Sequence, residues 1–212
     1  MTTASVADYP VRLRIDYPDR SLNRATTFFR LIAAIPIVIV VEAVSGGSSE
    51  FRRHGAHYIT YGAGGMLFIG PLLMIVFRQK YPRWWFDWNL QLQRFSTRVG
   101  VYLALMDDQY PSTDEDQSVH LDYDYPDVPN DLNRWLPLVK WLLAIPHFIV
   151  LFFLYIGALF AVIAAWFAIL FTGRYPEGLF RYVEGVVRWS QRVIGYAFLL
   201  VTDAYPPFRL AA

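Results

Sequence analysis

The chain has 212 residues, of which 55% are hydrophobic, 17% aromatic and 17% charged, with a formal net charge of +1. Soluble domains carry about 45–50% apolar residues and about 25% charge, so this composition, with a mean hydropathy of +0.29, leans towards a membrane protein. The near-zero balance excludes bulk attraction to nucleic acid, and the absence of cysteine excludes disulfides, thiolate metal sites and cysteine nucleophiles.

The amino-terminal stretch "MTTASVADYPVRLRID" is polar and lacks an apolar core, so it does not read as a signal peptide, and Met1 is expected on the cytoplasmic side. Within it "VRLRID" alternates apolar and polar residues, the pattern of a short strand. "DYPDRSLNR" follows, from Asp16 to Arg24. Pro18 and Asp19 suit a turn, Asn23 suits the cap of a helix start, and Arg24 suits the membrane interface.

A transmembrane helix needs roughly 20 mostly apolar residues. Residues 28–46 and 59–77 qualify and predict two spans joined by the polar loop "SGGSSEFRRHGAHY". His54, His57 and Glu50 in that loop have the spacing of at most a weak metal site. Residues 83–100 carry Trp85, Trp88, Leu92, Phe95 and Val99 on one face and predict an amphipathic helix in the membrane interface. Residues 112–118 read as a linker, and "VHLDYD" as a second strand. The apolar run from Trp135 to Phe171 predicts two more spans, 135–155 and 157–171, divided by a tight hairpin near Tyr155 to Gly157; one long tilted helix is the alternative. Residues 177–197 predict a second interfacial helix, with Leu179, Val183 and Val186 opposite Arg181, Glu184 and Arg188. "VYLALM" and "YAFLLV" are candidates to pair with the two strands.

These segments come in two sets. "VRLRIDYPD" matches "VHLDYDYPD", and "LNRATTFFRLIAAIP" matches "LNRWLPLVKWLLAIP". "VFRQKYPRWWF" matches "LFTGRYPEGLF", and "RFSTRVGVYLALMDDQYP" matches "RWSQRVIGYAFLLVTDAYP". The order is the same in both, which predicts two tandem repeats, residues 8–111 and 119–207, related by a pseudo-twofold axis along the membrane normal. The fold class expected is therefore an all-α membrane protein: four transmembrane helices as two helical hairpins, with interfacial helices and a small cytoplasmic β element. The "DYP", "LNR", "AIP" and "RYP" pattern resembles the bacterial membrane family catalogued as domain of unknown function 4389, twice over nearly the whole chain. That resemblance implies a membrane location and a duplication of a single-repeat form, and it supplies no activity.

Arg12, Arg14, Arg20 and Arg24, then Arg78, Lys80 and Arg83, Arg134, and Arg174, Arg181, Arg188 and Arg192 flank the spans on one side, against Arg52 and Arg53 on the other. This places both termini in the cytoplasm, with the protein in a bacterial inner membrane. Arg24, Lys80, Arg134 and Arg174 are the candidate contacts for a lipid headgroup or other anion; the competing reading is capping and interfacial anchoring. Pro36 and Pro146 are expected to kink the first span of each repeat. Glu42 and Lys140 lie near span ends, within reach of headgroups, and His147 reads as a packing residue. Gly157, Ala161, Ala164, Ala165 and Ala168 form a small-residue stripe for close helix packing, within the chain or against another subunit. There is no phosphate loop, catalytic triad or cofactor motif. The function expected is that of a non-enzymatic scaffold or accessory subunit whose partners are anionic membrane lipids and other membrane-protein subunits or a second copy. The alternative is a passive channel or lipid-handling protein.

Overall fold

The computed structural model describes residues 9–45, 50–53, 56–59 and 63–211. Of the candidate metal loop, His54 falls outside them, as do Gly46 and Gly62. Strand β1 (Val11–Ile15) is followed by a short helix α1 (Arg24–Phe28) and α2 (Arg30–Ser45). A hairpin of β2 (Glu50–Arg53) and β3 (Ala56–Ile59) leads to α3 (Ala63–Arg78) and α4 (Arg83–Leu103). Then come β4 (Val119–Tyr123), α5 (Val128–Asp131), α6 (Pro137–Leu143), α7 (Ile145–Thr172) and α8 (Glu177–Ala197).

The two alternating segments form strands, as expected, but they pair with each other. β1 and β4 run antiparallel with Leu13 opposite Leu121, and both strands alternate buried and exposed residues. "VYLALM" and "YAFLLV" do not join them. They end α4 and α8, where Leu105 (φ 63°) and Leu200 (φ 58°) take the left-handed conformation that closes a helix. In the first of these, Met106 donates to the Val101 carbonyl at 3.1 Å and Leu105 to that of Tyr102 at 3.1 Å. The backbone hydrogen bonds these segments need are thus spent on helix termination.

The four-span expectation is not met. Among the described residues one helix, α7, is long and apolar enough to cross a membrane. α2 and α3 have 16 residues each, about 24 Å at 1.5 Å per residue, short of the roughly 30 Å hydrocarbon core. The hairpin expected near Tyr155 to Gly157 is also absent. α7 runs unbroken for 28 residues. The reason is chemical: a turn within "FFLYIGALFA" would strip backbone groups of partners among side chains that supply none, whereas the helix satisfies all of them internally.

The helix interruptions are not where symmetry of the two prolines would put them. Pro146 stands in the first turn of α7, directly after a break at Ala144. Pro36 lies inside α2, which continues through it; the matching break comes earlier, at Phe29. Pro71 is a further proline inside α3.

The elements stack in three layers. The β1–β4 pair packs on α4 and α8. The other sides of α4 and α8 carry α2 and α7, respectively. The core between them gathers Val11, Leu13, Leu121, Phe86, Phe180 and Val183. α4 and α8 are therefore covered on both faces and are not bare interfacial helices. α2 covers Phe95, Val99 and Tyr102 of α4, α7 covers α8, and Arg94, Arg188 and Arg192 reach the sheet and the carboxyl-terminal tail.

Candidate functional site

Two buried ion pairs hold the outer helices to the middle layer. In the first half, Asn23 caps α1, its side-chain oxygen accepting from the N–H groups of Ala25 (2.9 Å) and Thr26 (3.3 Å). Its own N–H donates to Asp108 Oδ2 at 2.6 Å. Two turns on, Arg30 is 1% exposed and donates to Asp108 Oδ1 (2.6 Å) and to the Asp107 carbonyl (2.7 Å), with its guanidinium 4.1 Å from the centre of the Tyr102 ring.

The second half repeats this arrangement. Asn133 accepts from the Trp135 N–H at 2.9 Å, and its N–H donates to Asp203 Oδ2 at 2.5 Å. Lys140 is fully buried, 2.7 Å from Asp203 Oδ1, donates to the Thr202 carbonyl at 2.7 Å, and sits 5.1 Å over the Tyr196 ring. Lys140 therefore does not reach headgroups as its place near a span end suggests. A charge in a desolvated site is retained only with a partner and further hydrogen bonds, and Asp203 and Thr202 provide them.

Two of the sequence-predicted cations end on helix-terminal carbonyls. Arg24 donates to the Phe171 carbonyl (3.2 Å) at the end of α7, three residues before exposed Arg174. Arg134 donates to the Val76 (2.5 Å) and Phe77 (3.3 Å) carbonyls at the end of α3, close in sequence to exposed Lys80. Each arginine thus satisfies carbonyls left over at a helix carboxyl terminus and complements the negative end of its dipole. Helix-end capping accounts for these contacts of Arg24 and Arg134.

These contacts are reciprocal. Arg24 reaches from the first half to the second, and Arg134 from the second to the first. Tyr17 OH donates to the Tyr175 carbonyl (2.5 Å), and Tyr125 OH to that of Tyr81 (2.5 Å). Arg94 Nε donates to the Leu121 carbonyl (2.8 Å), and Arg188 Nε to that of Leu13 (2.9 Å). Where α4 and α8 meet, Tyr123 OH donates to Gln191 Oε1 (2.7 Å), and Gln191 Nε2 to Thr97 Oγ1 (2.8 Å). Beside that chain lies a cavity of about 550 Å³ between α4, α7 and α8, lined by uncharged residues including Thr97, Gln191, Tyr155, Ala158, Val162 and Val186.

His147 is buried with its ring stacked on Phe208 (4.0 Å between centres), and its Nδ1 accepts from Trp189 Nε1 at 3.1 Å. This is the packing role its sequence context suggested. In the small-residue stripe, Ala161 and Ala165 are buried in the core, and Gly157 lies so close to Tyr182 that a Cβ would meet its hydroxyl at 2.4 Å. This part of the stripe serves packing inside the chain. Among the described residues no group of three or more His, Asp and Glu side chains is placed to hold a metal ion.

The pairing of Arg30 with Asp108 and Lys140 with Asp203 escaped the sequence reading, although the signal was present. Aligning the two "LNR…AIP" segments sets Arg30 opposite Lys140, and aligning "DDQYP" with "TDAYP" sets Asp108 opposite Asp203.

Residues 135–209 match the family model described as Domain of unknown function (DUF4389). The matched stretch holds α6, α7, α8 and the Lys140–Asp203 pair. No curated protein and no solved structure matches the chain. Over residues 135–209 the chain is thus similar to a family with no assigned activity.

Proposed function

We propose that this chain is a non-enzymatic, membrane-embedded scaffold or accessory subunit, built from two copies of one unit, with both termini on the cytoplasmic side of a bacterial inner membrane. The observation that carries it is the outer face of α2 and α7. Leu31 (77% exposed), Ile39, Phe153, Phe160 and Phe171 are bare on that face. Soluble monomers rarely expose contiguous apolar patches beyond a few hundred Å², so this surface calls for lipid or protein cover. The buried charges, meanwhile, are committed to fixing the helices. The reciprocal contacts support the two-copy reading; the family match covers one copy, residues 135–209.

The test is isolation of the full chain in mild detergent with quantitative mass spectrometry. Stoichiometric membrane-protein partners are expected. Recovery of the protein alone, carrying a lipid, would favour a second reading, lipid handling, which the uncharged cavity between α4, α7 and α8 specifically supports. In that case Val186→Trp, which fills the cavity, removes the bound lipid.

A further inference from the structure

α7 buries one narrow stripe along its whole length: His147, Leu151, Ala158, Ala161, Ala165 and Ile169. The remaining circumference is apolar and largely exposed from end to end, Ile149, Phe153, Phe160 and Phe167 among it. The stripe is covered by α8, which turns back at Gly173 and runs antiparallel beneath it. Trp189 Nε1 meets His147 Nδ1, Tyr155 OH lies 2.6 Å from Ser190 Oγ, and Tyr182 OH donates to the Leu154 carbonyl at 3.0 Å.

The far side of α8 is polar and tied to the sheet. Glu184 Oε1 accepts from the Ile15 N–H (3.2 Å), and Arg188 reaches the carbonyls of Leu13 (2.9 Å) and Leu210 (3.0 Å). β1 therefore lies beside the same stretch of helix, and its outer side chains Arg12 and Arg14, with Asp16 just after it, are exposed. The first half is layered alike. Ala34 and Ile37 of α2 pack on Phe95, Val99 and Tyr102 of α4, and on the other side of α4 Arg94 holds Asp122 and the Leu121 carbonyl.

If α7 stood across a bilayer, α8 and the sheet would stand at the same depth. Each exposed arginine or aspartate carried to mid-membrane costs about 2.5–3.5 kcal/mol or more. Laid flat, the same three layers sort by polarity without that cost: apolar helices in the acyl region, α4 and α8 beneath, charged strands in water. The cations at the ends of the outer helices, Arg24, Arg78, Lys80, Arg134 and Arg174, are exposed at the rim, where anionic headgroups would meet them. Trp135 (63% exposed) sits among them, an aromatic suited to the interface.

We propose that α7 lies in the plane of the membrane and that its outer face, with that of α2, docks into a single leaflet of a lipid bilayer, sunk about 5–10 Å. This rests on the membrane reading above and replaces a spanning α7 with an embedded one. The chain has no cysteine, so single labels are unambiguous. Ile149→Cys, Phe153→Cys, Phe160→Cys and Phe167→Cys, each in the full chain, would carry a bimane and be placed in vesicles of phosphatidylcholine and phosphatidylglycerol. Nitroxide lipids bearing the spin label near the headgroup or near the acyl terminus then report depth. Far-UV circular dichroism checks each fold, and Ile156→Cys, exposed on the same face, stands in for any variant that fails it.

The expected result is stronger quenching by the shallow label at all four sites, with the same shallow-to-deep ratio. A ratio that inverts at Phe160, near the helix midpoint, while Ile149 and Phe167 stay shallower would overturn the in-plane arrangement and leave the membrane reading standing. Absence of quenching at every site would overturn both.

Discussion

At the scale of single residues, charge placement decides what the chain can tolerate. Asp203 neutralises Lys140 and accepts the Asn133 N–H. Asp203→Asn leaves a buried ammonium without its counter-charge, a change that costs about 3–5 kcal/mol. The thermal midpoint in detergent should fall steeply for that variant, and Lys140→Met on top of it should recover much of the loss. If the single and double variants unfold together, the ion pair is not what holds α6. Burial also pushes the phenols of Tyr9 and Tyr123 well above the usual tyrosine range, and that of Tyr81 up to about 12. In the unfolded chain they titrate near 10. Above that pH the unfolded state has released protons that the native state keeps, so stability declines as pH rises. Scanning fluorimetry should show the midpoint dropping between about pH 10 and 12, with a shallower drop in Tyr81→Phe. A midpoint flat across that range would refute burial of these hydroxyls.

At the scale of elements, the decisive finding is the continuity of α7. Gly157→Pro tests it directly. Inside a helix a proline removes one hydrogen bond and clashes with the preceding turn, costing about 3 kcal/mol; at the tip of a hairpin it would be harmless. A large loss of thermal stability is expected, and a wild-type midpoint would restore the hairpin. The sequence made much of this level legible. The alternating residues of "VRLRI" and "VHLDY" became paired strands, Asn23 became a helix-start cap while Asn133 holds a turn ahead of α6, and residues 83–100 and 177–197 became helices. What was hidden depended on distance along the chain. Arg30 and Asp108 are far apart in sequence, and no local pattern says that a charge in an apolar run has an acid waiting beyond the next two long helices. The faces of α4 and α8 were misassigned for a related reason. Amphipathicity announces that one side will be covered, but lipid and another helix leave the same pattern.

At the scale of the whole molecule, the two halves hold each other through contacts made twice: Arg24 and Arg134, Tyr17 and Tyr175 with Tyr125 and Tyr81, Arg94 and Arg188. Residues 113–116 are exposed, so a protease site inserted after Glu115 can be cut without touching those bonds. The two fragments should still co-elute in size-exclusion chromatography. Separation on cutting would mean that the covalent link, and not the reciprocal contacts, joins the halves.

The pairing of Leu13 with Leu121 also has a consequence in time. The partner strand is 108 residues further along the chain (121 − 13). At about 5–20 residues per second, a ribosome takes roughly 5–20 s to deliver it. Through that interval the first strand is an unmatched edge while strongly apolar helices emerge behind it. Arg12 and Arg14, alternating with its apolar residues, give it the charged side chains by which such edges avoid sticking to the wrong neighbour. Their value to the protein is therefore greatest before the fold is complete.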